Sequence, residues 1–227
     1  MALPPAAYRE LHLLPSILSA DFCHLAAEVD RVMDAGVKVI HVDVMDGHFV
    51  PNLTIGPPVL KCLSRHVHGR GGFFSVHLMI ENPEDYLKTF VDAGADAVSV
   101  HAEACTSLYH AVNAIKELGA GAGVAINPGS DVALVEEVLP YLDYVLVMTV
   151  NPGFGGQEMI EAALDKVPRL RELLPKHAGL EVDGGVKREN IRRVVEMGAN
   201  WIVAGSALFG AGDPGAEART LQRLMNG

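Results

Sequence analysis

Hydrophobic residues follow two alternating patterns along the chain. Short, nearly continuous apolar runs alternate with longer runs in which apolar residues recur every three or four positions. The first pattern predicts buried strands of a parallel sheet, and the second predicts amphipathic helices. The predicted strands are residues 13–18, 37–45, 73–79, 97–101, 123–126, 144–149, 180–183 and 201–204. The predicted helices are residues 25–35, 58–65, 83–93, 108–118, 132–139, 162–174, 188–197 and 216–225.

Eight strands that alternate with helices predict an α/β protein with a single (β/α)8 TIM barrel. A doubly wound sheet is the alternative, but no G-x-G-x-x-G follows the first strand, which weakens a dinucleotide-binding interpretation. We see no linker or low-complexity tract. We therefore expect one catalytic barrel domain over residues 13–227, preceded by an N-terminal extension over residues 1–12.

Polar side chains lie at the carboxyl ends of three predicted strands, where such barrels carry their active sites. His41 and Asp43 share one face of their strand because side chains alternate, and His77 and Asp183 end two other strands. A lone strand His is usually a hydrogen-bonded core residue, and a terminal Asp is often a turn residue. Together, however, two imidazoles and two carboxylates predict a site for one divalent transition metal ion, Zn, Fe, Mn or Co.

Three methionines, Met45, Met79 and Met148, are predicted to surround the same barrel mouth. They either fill gaps in an irregular core or form a dry lining around a charged intermediate. His101 ends a further strand and is a weaker candidate, whereas Asp46 is interpreted as a turn residue before a glycine.

Glycine-rich turns follow the last three predicted strands. They are Gly153, Phe154, Gly155 and Gly156, then Gly184 and Gly185, and finally Gly205 with Ser206. Glycines let backbone N–H groups approach an anion, and the last loops of such barrels commonly bind phosphate. Residues 153–156 and 205–206 contain no Lys or Arg, so we expect peptide dipoles to supply the positive potential.

Composition narrows the range of partners. The net charge of −10 argues against nucleic acid and anionic membranes, and the chain has no apolar run long enough to span a bilayer. No signal-peptide pattern occurs at the N-terminus, and the three cysteines form no CxxC pair, which fits a reducing compartment. We therefore expect a cytoplasmic protein with a small-molecule substrate.

A metal, a phosphate site and two carboxylates together favour enolisation of a phosphorylated sugar. A metal ion that bridges a carbonyl and its neighbouring hydroxyl would stabilise an enediolate. One aspartate would take a proton and the other would return a proton to the opposite face, which inverts the carbon.

Several motifs resemble those of the ribulose-phosphate 3-epimerase family, from Pro15 to about Met225. They are Pro-Ser-Ile-Leu at 15–18, His-Val-Asp-Val-Met-Asp-Gly-His-Phe-Val-Pro-Asn at 41–52, His-Leu-Met at 77–79, Val-Met-Thr-Val-Asn-Pro-Gly-Phe-Gly-Gly-Gln at 147–157 and Glu-Val-Asp-Gly-Gly at 181–185. The resemblance implies reversible epimerisation at carbon 3 between D-ribulose 5-phosphate and D-xylulose 5-phosphate. This reaction serves the pentose phosphate pathway or carbon fixation, and related barrels often form homo-oligomers.

The resemblance also implies roles for individual residues. Asp43 and Asp183 are the expected acid/base pair, and the metal ligands are His41, Asp43, His77 and Asp183. The expected substrate-binding residues are Ser16, His77, Gly153, Phe154, Gly155, Gly156, Asp183, Gly184, Gly185, Gly205 and Ser206. Strand periodicity alone does not choose between Ser16 and Ser19, but the family pattern favours Ser16.

Three alternatives remain open from the sequence. A 3-epimerase for a hexulose 6-phosphate would have similar motifs. A sugar-phosphate decarboxylase or aldolase commonly needs a strand lysine, and no predicted strand end carries one. A catalytically silent phosphate-binding barrel would have no need of two opposed carboxylates.

Overall fold

Eight parallel strands form a ring with helices outside it in the computed structural model, which describes residues 3–227. The strands are β1 (His12–Pro15), β2 (Val39–Met45), β3 (Phe73–Met79), β4 (Ala97–His101), β5 (Gly121–Ile126), β6 (Tyr144–Met148), β7 (Gly179–Asp183) and β8 (Trp201–Ala204). They pair in the order β1-β8-β7-β6-β5-β4-β3-β2. A parallel bridge between Ser16 and His41 links β1 to β2. The predicted TIM barrel is confirmed.

Helices follow the strands around the outside of the ring. They are α1 (Leu25–Asp34), α2 (Pro57–Gly69), α3 (Leu87–Ala93), α4 (Leu108–Glu117), α5 (Ala133–Glu136), α6 (Glu161–Leu164), α7 (Lys166–Leu173), α8 (Ile191–Glu196), α9 (Ser206–Phe209) and α10 (Pro214–Asn226). The predicted helix 132–139 is wrong in its extent, because α5 is short and a 3-10 turn follows at Leu139–Tyr141. Pro140 in that turn has no N–H group with which to continue the helix.

Strand alternation places one set of apolar residues outward, against the helices, and turns the polar residues of the site inward. Val42 and Val44 belong to the main hydrophobic core, which includes apolar residues of the surrounding helices. The register pairs Asp43 with His77 and Met148 with Asp183, so these inward-facing residues lie at similar heights in the barrel. The carboxyl-end layer of the barrel therefore combines polar side chains with methionines.

The opposite end of the barrel is closed by the N-terminal segment. The Tyr8 ring stacks on Trp201 at 5.1 Å between ring centroids and lies 6.0 Å from the Tyr144 ring. Trp201 Nε1 donates a hydrogen bond to the Ala7 carbonyl, and the Asn200 amide donates to the carbonyls of Tyr8 and Glu10. These contacts bury the aromatic residues beneath the site. No helix among residues 3–227 is long and apolar enough to cross a membrane.

Candidate active site and metal centre

Two histidines and two aspartates converge at the carboxyl end of the barrel. His41, Asp43, His77 and Asp183 each offer a ligand atom within 4.8 Å of the others. Asp43 Oδ1 lies 3.1 Å from His41 Nε2 and 3.2 Å from His77 Nδ1. Asp183 Oδ2 lies 3.9 Å and 3.7 Å from the same two nitrogens. Two nitrogen and two oxygen donors around one point suit a four-coordinate divalent ion.

The two carboxylates differ in proton affinity. Burial alone would raise the pKa of Asp43, but the neighbouring imidazoles of His41 and His77 lower it well below its usual range. Burial and the negative charge of Asp43 raise the pKa of Asp183 to about 8. Asp43 is therefore ionised near neutral pH, whereas Asp183 holds a proton that a bound cation would displace. The donor set fits a metal ion.

Each imidazole uses its second nitrogen to contact another buried side chain. His41 Nδ1 lies 3.0 Å from Glu181 Oε1, and both side chains are fully buried. His77 Nε2 lies 2.8 Å from His101 Nε2. Such outer partners commonly orient metal-binding histidines. Sequence reasoning missed Glu181, although it lies two residues before Asp183 and therefore on the same strand face.

A cavity opens above the two aspartates. Asp183 is 16% exposed and faces this cavity, whereas His77 is fully buried below it and does not reach the cavity wall. The wall contains the remaining residues predicted to bind the substrate or line the site: Ser16, Asp43, Met45, Met79, Met148, Gly153, Phe154, Gly155, Gly156, Asp183, Gly184, Gly185, Gly205 and Ser206. The structure thus brings these residues together around one space.

The three glycine turns meet on one side of the cavity. A Cβ atom added to Gly155 or Gly205 would lie 3.2 Å or 2.9 Å, respectively, from Ser19 Oγ. Gly185 has φ +66°, and an added Cβ would lie only 2.4 Å from the Met159 nitrogen, so this turn requires glycine. No Lys or Arg side chain lines the cavity in the described part of the chain.

Both serines after β1 face the cavity, which strand alternation did not predict. β1 ends at Pro15 rather than at residue 18, and a 3-10 turn follows at Ile17–Ser19. Ser16 Oγ donates a hydrogen bond to Asp43 Oδ2 at 2.5 Å, whereas Ser19 lies beside the glycine turns. Sequence reasoning missed that both would contribute, because it treated the turn as part of a regular strand.

The Asp46 side chain caps the loop after β2. Its Oδ1 accepts hydrogen bonds from the backbone N–H groups of His48 and Phe49, and its Oδ2 accepts one from the N–H of Glu81. Both oxygens of the Asp46 carboxylate therefore accept hydrogen bonds from backbone N–H groups of the loops. Asp46 therefore shapes the turn and lies outside the metal-binding group.

Comparison with known proteins places these residues in a family context. The model of the Ribulose-phosphate 3 epimerase family matches residues 12–209. The Ribulose-phosphate 3-epimerase of Bacillus subtilis (strain 168) is 48% identical over 207 residues, which cover 89% of this chain and 94% of that protein. The chloroplastic Ribulose-5-phosphate-3-epimerase of Arabidopsis thaliana is 51% identical over 204 residues, which cover 88% of this chain and 72% of that protein.

A solved structure supports the fold. The 3-hexulose-6-phosphate synthase from Salmonella typhimurium has a TM-score of 0.74 to this chain and is 20% identical to it. The alignment covers 95% of this chain and 99% of the synthase. At this identity, the similarity concerns the barrel architecture alone.

Proposed function

Because the chain belongs to the ribulose-phosphate 3-epimerase family and is therefore an isomerase, we propose that it interconverts D-ribulose 5-phosphate and D-xylulose 5-phosphate by inverting carbon 3. The observation that carries this proposal is that Asp43 and Asp183, on different strands, face one cavity and lie beside two imidazoles that could share a metal ion with them. A two-base inversion needs two carboxyl groups on separate strands, one to take a proton and the other to return one.

His41, Asp43, His77 and Asp183 would hold one divalent transition metal ion, Zn, Fe, Mn or Co. When bound, the ion would polarise the substrate carbonyl and stabilise the negative charge that develops after proton removal. Three of these side chains are buried and the fourth faces the cavity, so the site is open to substrate on one side.

Asp43 and Asp183 would act as the acid/base pair. Asp43 accepts the proton from carbon 3 on one face of the sugar, and Asp183, which can take up a proton from solvent through the open cavity, returns a proton to the other face. In the reverse direction the roles exchange. The Ser16 hydroxyl, hydrogen-bonded to Asp43, would orient the carboxylate and contact the substrate, and His77 would act from below as a ligand.

The glycine turns would bind the phosphate of the sugar. Backbone N–H groups of residues 153–156, 184–185 and 205–206 would contact the phosphate oxygens, since no basic side chain lines this wall of the cavity among the described residues. Met45, Met79 and Met148, which are nearly fully buried, would keep water from the sugar carbons. In this arrangement the phosphate would lie at one end of the cavity and the reacting carbon would lie over the aspartates.

Comparison of substrates tests the proposed activity. Purified protein supplied with divalent metal should convert D-ribulose 5-phosphate to the 3-epimer faster than it converts a hexulose 6-phosphate. Activity should be lost on exhaustive chelation and regained when metal is restored. Preference for the hexulose 6-phosphate would select the alternative epimerase, and turnover that survives verified metal loss would remove the metal from the mechanism.

The cellular setting is also a proposal. We propose a cytoplasmic homo-oligomer that acts in the pentose phosphate pathway or in carbon fixation. The Arabidopsis relative is named as chloroplastic, so fractionation of cells is needed to test the compartment. The size of the native particle in solution tests the oligomeric state.

A further inference from the structure

A short row of side chains leads from the buried His77 away from the metal-binding group. His77 Nε2 lies 2.8 Å from His101 Nε2, and the two rings stack at 4.9 Å between centroids. On the far side, His101 Nδ1 lies 3.3 Å from Glu103 Oε2. His101 is fully buried, and Glu103 is 20% exposed. The mechanism above uses neither residue.

The loop after β5 anchors Glu103. Its Oε1 accepts hydrogen bonds from the Asn127 backbone N–H at 2.8 Å and from the Ser130 hydroxyl. Lys166 Nζ in turn donates to the carbonyls of Asn127 and Pro128. Burial alone would raise the pKa of Glu103, but the hydrogen bonds from His101, Ser130 and Asn127 lower it to about 2. Glu103 is therefore a carboxylate at neutral pH.

The carboxylate determines where the ring protons lie. Glu103 has no proton to donate, so His101 Nδ1 carries the proton of that hydrogen bond. When the His101 ring is neutral, its Nε2 then has a free lone pair and accepts a hydrogen bond from the Nε2–H of His77. His77 Nδ1 is left with its lone pair facing Asp43 Oδ1, 3.2 Å away. Two lone pairs at this distance repel, and a cation held by both groups would relieve that repulsion.

The opposite arrangement of protons is less favourable. If His77 carried its proton on Nδ1, His101 would donate from Nε2 and present the lone pair of Nδ1 to the Glu103 carboxylate. The His101 Nδ1 lone pair and the Glu103 carboxylate would then repel each other, and they lie outside the metal-binding group, where a bound ion would not relieve the repulsion. The hydrogen-bond pattern thus favours one tautomer of His77.

We propose that His101 and Glu103 are positioning residues that hold His77 with its proton on Nε2 and its Nδ1 lone pair directed at the metal. This inference rests on the proposed metal site. Sequence reasoning considered His101 only as a weak candidate and did not consider Glu103, although the two residues form a His-x-Glu pair at the end of β4.

Metal affinity tests the proposal without reference to catalysis. Metal-free full-length protein is titrated with Zn²⁺ against a competing chelator. His101→Phe keeps a ring but removes the acceptor, and Glu103→Ala removes the carboxylate. Each should raise the Kd for Zn²⁺ about 10-fold to 100-fold, the usual effect of losing an outer partner of a metal-binding histidine. The amide oxygen of His101→Gln can accept a hydrogen bond from His77. The Kd of this variant for Zn²⁺ should therefore be closer to that of the unmodified protein than the Kd of His101→Phe is. His110→Phe, on the exposed surface of α4, is the matched control.

Histidine ¹⁵N spectra of the unmodified Zn²⁺-loaded protein provide a measurement that needs no variant to fold. The expected spectrum has the proton of His77 on Nε2 and that of His101 on Nδ1. A proton on Nε2 of His101 and none on its Nδ1 would overturn the inference, as would unchanged affinity in both His101→Phe and Glu103→Ala. If the unmodified protein binds no Zn²⁺, the metal site itself is refuted, and this inference is refuted with it.

Discussion

Metal binding at neutral pH should release protons, because the site holds them when no cation is bound. With a pKa of about 8, Asp183 is about 0.9 protonated at pH 7. His41 is a second group that holds a proton in the metal-free site. Burial lowers the pKa of His41, but Asp43 and Glu181 raise it well above its usual value. Both groups must lose a proton to act as ligands. We therefore expect release of about one to two protons per ion bound at pH 7.

The sign of the pH dependence follows from the raised pKa of Asp183. Below pH 8 a proton competes with the metal, so the apparent Kd should fall as the pH rises from 6 to 8, about tenfold per pH unit for each proton released. Above pH 8 the contribution of Asp183 is complete and the slope should decrease.

Calorimetric titration of metal-free protein in buffers of different ionisation enthalpy measures the proton count directly. Asp183→Asn is the internal control, because it should bind metal more weakly and release about 0.9 fewer protons at pH 7. A heat of binding that is independent of the buffer, together with a Kd that does not change between pH 6 and 8, would refute this electrostatic reasoning.

The other predictions concern activity and stability. Asp43→Asn and Asp183→Asn should each lower kcat by about 10²-fold to 10⁴-fold while circular dichroism stays unchanged; full activity in either variant would refute the two-base mechanism. Ser16→Ala removes the hydrogen bond to the Asp43 carboxylate, worth about 1.5–3 kcal/mol, and should lower both kcat/KM and Tm; an unchanged kcat/KM would show that the hydroxyl has no role in turnover. Gly185→Ala forces a side chain into a positive-φ turn and should raise KM, as steady-state kinetics would measure; an unchanged KM would argue against the phosphate site. Tyr8→Ala removes the ring beneath the barrel and should lower the free energy of unfolding by about 3–5 kcal/mol in urea titrations while kcat stays the same; unchanged stability would contradict the packing role.

The barrel and most of the site could be predicted from sequence because their signals are local and periodic. Apolar runs identify the strands, and the strand ends of a parallel barrel meet at one mouth, so His41, Asp43, His77 and Asp183 were expected to cluster. Glycines before and within turns identified the loops that line the cavity.

What could not be predicted depends on non-local contacts or on irregular backbone. The contribution of both Ser16 and Ser19 depends on a 3-10 turn that breaks strand alternation. Glu181 matters because it contacts the His41 ring on another strand, and Glu103 matters because its neighbour His101 contacts His77 on the next strand. The identity of a glutamate in the sequence does not reveal such contacts. The sequence predicts only an extension for the residues before β1, whereas the packing of Tyr8 on Trp201 joins positions 193 residues apart.

The central claim is that carbon 3 loses its proton to one aspartate and receives a new proton from the other. The most direct test is the reaction of D-ribulose 5-phosphate in deuterium oxide with mass and NMR analysis of the xylulose 5-phosphate formed. The two-base mechanism predicts deuterium at carbon 3 of the product, because Asp183 exchanges its proton with solvent at the open cavity. Product that keeps the original hydrogen at carbon 3 would contradict it.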